Sequence, residues 1–282
     1  MTISRRLILL STLLLLSACS SQYAYRLADW WLENQIEEYL DLNREQQQQL
    51  SEAIDNWHLW HQQEELPQYR SLLDSLQEAL NQDSITPTQI GHFENDAQAA
   101  WKRLLHKAGP LLAELTLAQD QEQRQYLYKQ IESNNDELRE KFSDRSEQER
   151  RERGRKGMEK QAREMLGKLN DAQKQKIQQW SETFVLGAEI ELTERLRWQE
   201  RFRDILEGER SEDSQQQLMA LFENPRDEWT EEKQQLEAQN RVLSRQLLSD
   251  LFQLSDDKQK KRLRKEVAKY QDLLEKMAKQ KL

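Results

Sequence analysis

Cysteine occurs once, at Cys19, so the chain cannot close an internal disulfide. Glycine is also scarce, with seven residues, and none of them form a glycine-rich loop that could cradle phosphates. Valine appears three times, and no stretch alternates apolar and polar residues as a half-buried strand requires. With four prolines, the chain has few enforced breaks. These shortages exclude a β-rich fold, a disulfide scaffold and a phosphate-loop enzyme. What is abundant is charge, at 33% of residues, together with glutamine and eight tryptophans. The 36% apolar fraction recurs at spacings of three and four, which separates this composition from that of a disordered chain. The pattern predicts an all-α fold: an elongated bundle of long antiparallel helices with short capped connections.

The N-terminus follows a different logic. Arg5 and Arg6 precede an apolar run from Leu7 to Leu16, ending in Leu16-Ser17-Ala18-Cys19. At helical rise the run spans ~15 Å, half the ~30 Å of a hydrocarbon core, so it reads as a secretory leader rather than a span. The ending resembles the lipobox of bacterial lipoproteins. That resemblance implies cleavage after residue 18 and acylation of Cys19, leaving 264 residues held by a lipid anchor. Ser20 follows the cysteine where an aspartate would mark inner-membrane retention, which implies the outer membrane of a Gram-negative envelope, facing the periplasm. The alternative is a free thiol after an ordinary leader.

Net charge is −9 and unevenly spread. Residues 258–282 carry ten Lys/Arg against three acids, so the rest of the mature chain is strongly acidic. An acidic body argues against nucleic acid as a partner. The basic tail is either a surface for anionic polymers, such as a tether to the cell wall, or the solvated side of a terminal helix. Leu263, Val267, Tyr270, Leu274 and Met277 form an apolar stripe beneath it.

Helix starts share a capping pattern. Leu42-Asn43-x-x-Gln46, Ile85-Thr86-Pro87-x-Gln89 and Leu169-Asn170-x-x-Gln173 are complete, whereas Leu115-Thr116-x-x-Gln119, which alternatively lies inside a longer helix, and Leu254-Ser255-x-x-Lys258 are weaker copies. Pro67 predicts a kink or brief interruption, Gly109-Pro110 the close of one helix, and Leu112–Phe142 another long one. Residues 143–157 carry no apolar side chain and read as a charged helix extension or hinge. The expected organisation is thus a leader over 1–18, a helical region over 19–142, the hinge over 143–157 and a second helical region over 158–282.

Candidate chemistry is sparse. His58 and His61, with Glu64 or Glu65, share one face at helical spacing and form a metal-ligand pattern. The same Trp57-His58-Leu59-Trp60-His61 stretch reads as an aromatic core stripe. His92 and His106 are isolated, and the sequence shows no nucleophile elbow or triad spacing, so no enzyme and no cofactor is expected. Paired carboxylates of a cell-wall enzyme leave no signature in so acidic a chain. Arg197, Trp198 and Arg201, with Arg241 in a second cluster, suit either an anionic-ligand groove or inter-helix ion pairs.

Several ordered motifs carry a resemblance. Tyr39-Leu40-Asp41-Leu42-Asn43-x-x-Gln46, Trp57-His58 and Glu65-Leu66-Pro67-x-Tyr69 come first. Thr86-Pro87-x-Gln89, Trp101, Leu169-Asn170-x-x-Gln173, Trp198-Gln199 and Asn240-Arg241 follow. Together they resemble a family of Gram-negative lipoproteins known as a domain of unknown function, which supplies no catalytic residues. A looser similarity, through Leu-Thr-x-x-Gln helix starts, is to the periplasmic Spy and CpxP proteins and implies a chaperone-like role. The expected function is a membrane-anchored, non-enzymatic scaffold or chaperone-like factor for envelope proteins; the alternatives are a metal-binding protein, a cell-wall enzyme or a structural tether.

Overall fold

A computed structural model describes Tyr25, residues 27–143 and residues 145–280. The leader, the lipobox and Cys19 lie outside the described residues. Every regular element among the described residues is helical. Helices α1 (Ala28–Glu37) and α2 (Arg44–Trp60) come first, and α2 continues through a π-helical turn (His61–Glu65) into α3 (Leu66–Ala79). Then follow α4 (Pro87–Leu117), α5 (Gln121–Ser143), α6 (Glu147–Leu166) and α7 (Asp171–Thr183). The remainder is α8 (Ala188–Glu207), α9 (Glu212–Glu223), α10 (Glu231–Gln253) and α11 (Asp257–Ala278).

The capping pattern explains most starts. Asn43, Thr86 and Asn170 each accept an amide of the first turn, and the glutamine three residues on closes the box. Of the two weaker copies, the Leu115 one lies inside the longer helix α4, and the Leu254 one is corrected by one residue. The α5 box is Asp120 with Gln123, not Thr116 with Gln119. Thr116 instead donates back to the Leu112 carbonyl inside α4, at 2.5 Å. The α11 box is Asp256 with Gln259, not Ser255 with Lys258. A carboxylate acceptor with a glutamine partner outcompetes a serine whose hydroxyl is engaged with the Leu251 carbonyl.

Gly109-Pro110 does not end a helix: α4 runs through both residues for 31 residues, about 46 Å. Pro110 removes one donor, and the carbonyl that loses it belongs to His106, whose side chain is exposed. Water can serve that carbonyl, so the helix survives. At Pro67 the expected interruption is real and takes the form of the π turn, which precedes the proline. The charged stretch after residue 146 is helical, started by a Ser146–Glu149 box.

Neighbouring helices run antiparallel wherever their contacts fix a direction. On α3 and α11, Arg70 meets Gln271 and Leu80 meets Arg264. On α4 and α10, Ile85 meets Ser249 and Glu94 meets Arg241. On α7 and α10, Gln173 meets Leu251 and Trp180 meets Ser244. α4 links two cores about 33 Å apart. Near its start, Ile90 and Phe93 pack with Ala79, Leu80, Phe252 and Val267. Near its end, Ala113 and Leu115 join Leu50, Leu127, Leu206 and Leu218. Each fully buried leucine there contributes ~1.5–3 kcal/mol of apolar burial.

The boxes also lock to one another in pairs. Gln259 Nε2 donates to Gln173 Oε1 at 3.1 Å and to the Lys168 carbonyl at 2.8 Å. Gln123 Nε2 donates in the same way to Gln46 Oε1 at 2.7 Å and to the Asp41 carbonyl. In both pairs the accepting carbonyl lies two residues before the partner helix's capping asparagine. The two corners are therefore structural repeats of one device.

Candidate functional site

The π turn is the centre of a buried polar nest. His58, at the end of α2, is 2% exposed; its Nδ1 meets Asp29 Oδ1 on α1, and its Nε2 is buried without a partner. Tyr25 closes the nest, with its hydroxyl 3.0 Å from His61 Nδ1 and its ring edge-on to His58. His61 stacks on Trp57 at 5.2 Å and meets the edge of Tyr69 at 5.5 Å. Burial among these rings, and then the proximity of His58, pulls the His61 pKa down to about 4, so its imidazole is neutral at pH 7. Burial raises the Asp29 pKa, and His58 partly offsets that rise.

Glu65, at the end of the π turn, is 1% exposed and takes a two-pronged bond from Arg103 of α4, at 2.6 and 2.9 Å. Such a fork neutralises a buried carboxylate where a single lysine contact would not. The structure therefore does not converge His58, His61 and Glu65. The His58 ring nitrogen meets Asp29, that of His61 meets the Tyr25 hydroxyl, and Glu65 is held by Arg103. The π turn widens the helix between them, so the face they share on an α-helical wheel is not the face they occupy. Among the described residues no three His, Cys, Asp or Glu side chains are grouped to hold a metal ion. As arranged, the nest clamps Tyr25 and helix α1 onto the α2–α3 rod.

On either side of the Asp29–His58 contact the surface is apolar. Leu27 and Trp30 are 58% and 63% exposed, and Trp31 and Leu59 are also open to solvent. The first-segment stripe Leu27, Trp30, Trp31, Ile36 thus splits: Leu32 and Ile36 pack on the core, while the tryptophans face outward.

The arginine candidates separate. Arg197, half-exposed, pairs with the buried carboxylate of Glu194 at 3.6 Å, and Arg201 reaches Gln217 at 3.4 Å on open surface. Trp198 stacks on Phe202 at 5.4 Å and donates to the Leu221 carbonyl at 3.2 Å, so its ring is core. Arg241 lies on α10 and shares Glu94 of α4 with Arg245, at 3.0 and 2.7 Å. These contacts are inter-helix pairing for Arg241 and leave no common groove. Glu94, Arg103 and Arg245 carried no sequence signal, because their partners lie 38 to 151 residues away.

The basic α11 spends part of its charge internally. Lys260 donates to the Asp83 carbonyl, Arg264 to Leu80 and Arg262 to Glu164, at 2.9 to 3.1 Å. These carbonyls lie at or just beyond the ends of α3 and α6, where the helix dipole favours a cation. No described helix is long and apolar enough to cross a membrane.

Comparison with curated proteins and with solved structures returns no match, so the likeness to Spy and CpxP rests on the helix-start motif alone. One family model matches, over residues 38–234. That span holds the π turn, Arg103 and the paired boxes up to Gln173, but neither Tyr25 nor the exposed tryptophans. The chain belongs to that family, a family of unknown function designated DUF6279.

Proposed function

We propose that this is a lipid-anchored envelope protein, held at the outer membrane through Cys19, facing the periplasm, and working without catalysis as a scaffold or chaperone-like factor for other proteins. The observation that carries the reading is the open apolar surface of Leu27, Trp30, Trp31 and Leu59. Tryptophans left in water beside a rigid clamp are typical of a surface kept for a partner. Asp29, Glu33 and Asp55 give that surface an acidic rim, which favours a protein with basic groups over an anionic lipid layer.

The test is a photo-crosslinking residue placed at Trp30 in living cells, with Lys156 on α6 as the control position. Protein adducts at Trp30 and none at Lys156 support the reading; identical adduct patterns overturn it. Membrane attachment is checked separately by fractionation: Cys19→Ala should move the protein from the membrane to the soluble periplasmic fraction, and unchanged fractionation rejects the anchor.

A further inference from the structure

The bend between α4 and α5 faces the end of α8 and borders a solvent-open cavity of about 470 Å³. Its wall includes Gln119, Asp120, Arg124, Tyr128, Glu207 and Arg210. Gln119 is fully buried, yet neither its amide oxygen nor its amide nitrogen has a hydrogen-bond partner. Arg124 Nε is buried and unpartnered as well, although another nitrogen of that guanidinium donates to the Leu206 carbonyl at 2.5 Å. Leaving such groups dry is costly, more so for a charged group, and native interiors rarely tolerate it.

The paired boxes provide an internal control. Gln119 stands one residue before the capping Asp120, and Ser255 stands one residue before the capping Asp256. At the second corner Ser255 is satisfied, bonding to the Leu251 carbonyl at 2.7 Å and to Gln173 at 3.1 Å. The corner geometry therefore does not demand an orphaned side chain. What differs at the first corner is the cavity.

The charges on the wall define what fits. Arg124 and Arg210 supply two cations, and Arg210 is steadied by a 2.7 Å bond to the Gln119 carbonyl. Asp120, which accepts the Gln123 amide at 2.9 Å, and Glu207, beside Tyr128, supply two carboxylates. A simple anion would meet Glu207, and a simple cation would meet two guanidinium groups. We propose that this cavity binds a small zwitterion, an amino acid or short peptide with a free carboxylate and a free ammonium group. The carboxylate lies toward Arg124 and the Gln119 amide, and the ammonium toward Glu207. The volume falls within the range of small-molecule sites, ~300–1,000 Å³. This site is independent of the tryptophan surface and goes beyond the scaffold reading.

The test is calorimetric titration of the full chain with alanyl-alanine, N-acetyl-alanyl-alanine and alanyl-alanine amide. Saturable binding of the free dipeptide is expected, with either blocked form weaker by about tenfold or more. Arg124→Met should weaken it to a similar degree. Gln119→Ser, which copies Ser255, should lower affinity while raising Tm, because it removes the orphaned amide. Absence of saturable binding, equal binding of a blocked peptide, or full affinity in the Gln119→Ser chain would each overturn the proposal.

Discussion

His61 is a base buried in its neutral form, and that has a sign. Its pKa is about 4 when folded and 6.5 when free, so between those values the unfolded chain binds the extra proton. Folding stability is therefore full above pH 6.5 and declines as the pH falls toward 4, by ~3 kcal/mol from this residue. Thermal melts from pH 7 to pH 4 should show the decline, and His61→Gln should flatten it; an unchanged slope in the variant would refute the assignment. Glu65 depends on its partner in a different way. Arg103→Met would strand a buried carboxylate and should cost ~3–5 kcal/mol, measured by denaturant titration, whereas Glu65→Gln with Arg103 intact should cost less. At this scale the sequence could be read only where partners are local. His58 and His61 stood out as a pair, but nothing near Glu65 names Arg103, and no spacing rule reports an ion pair closed across two helices.

Helices were the legible element because their starts are written in three or four adjacent residues. Asn43, Thr86 and Asn170 show their glutamines at the required offset, and the structure uses all three. Elsewhere the structure departs from local pattern: Asp256 takes the cap from neighbouring Ser255, and α4 passes through Gly109-Pro110 on the strength of its packing. That last point is testable. Since α4 is already continuous, Pro110→Ala restores a missing amide without changing the path, and should stabilise the fold by ~1–3 kcal/mol in chemical denaturation. Destabilisation would mean that Pro110 holds a bend the helix needs. The π turn left no mark in the sequence beyond Pro67, since an extra residue in one helical turn alters neither composition nor local polarity.

Across the whole molecule, long-range pairing decides the outcome. Helix α11 covers α3 and α6, with Leu273, Leu274 and Met277 sealing Leu66 and Tyr25. Truncation before Asp257 should therefore expose both the nest and the neighbouring core. The expected readouts are a large gain in dye binding to apolar surface and the loss of amide-exchange protection in α3. Retained protection would show that α3 holds without its cover. The all-α class followed from composition, but which helices pair did not, because most apolar stripes are Leu-rich and nearly interchangeable.

The locked capping boxes carry a kinetic consequence. In each corner one glutamine does two jobs: it closes a first turn three residues away and grips a partner 77 to 86 residues distant. The first contact can form while the chain is still open, and the second only once distant segments have met. Removing a cap such as Asn170 should therefore slow folding, whereas Ser255→Ala, which loses the distant contact to Gln173 and a bond to the Leu251 carbonyl but no first-turn cap, should mainly speed unfolding. Helix initiation and final closure would then respond to separate substitutions within one cluster of side chains, a division that rapid-mixing kinetics can resolve.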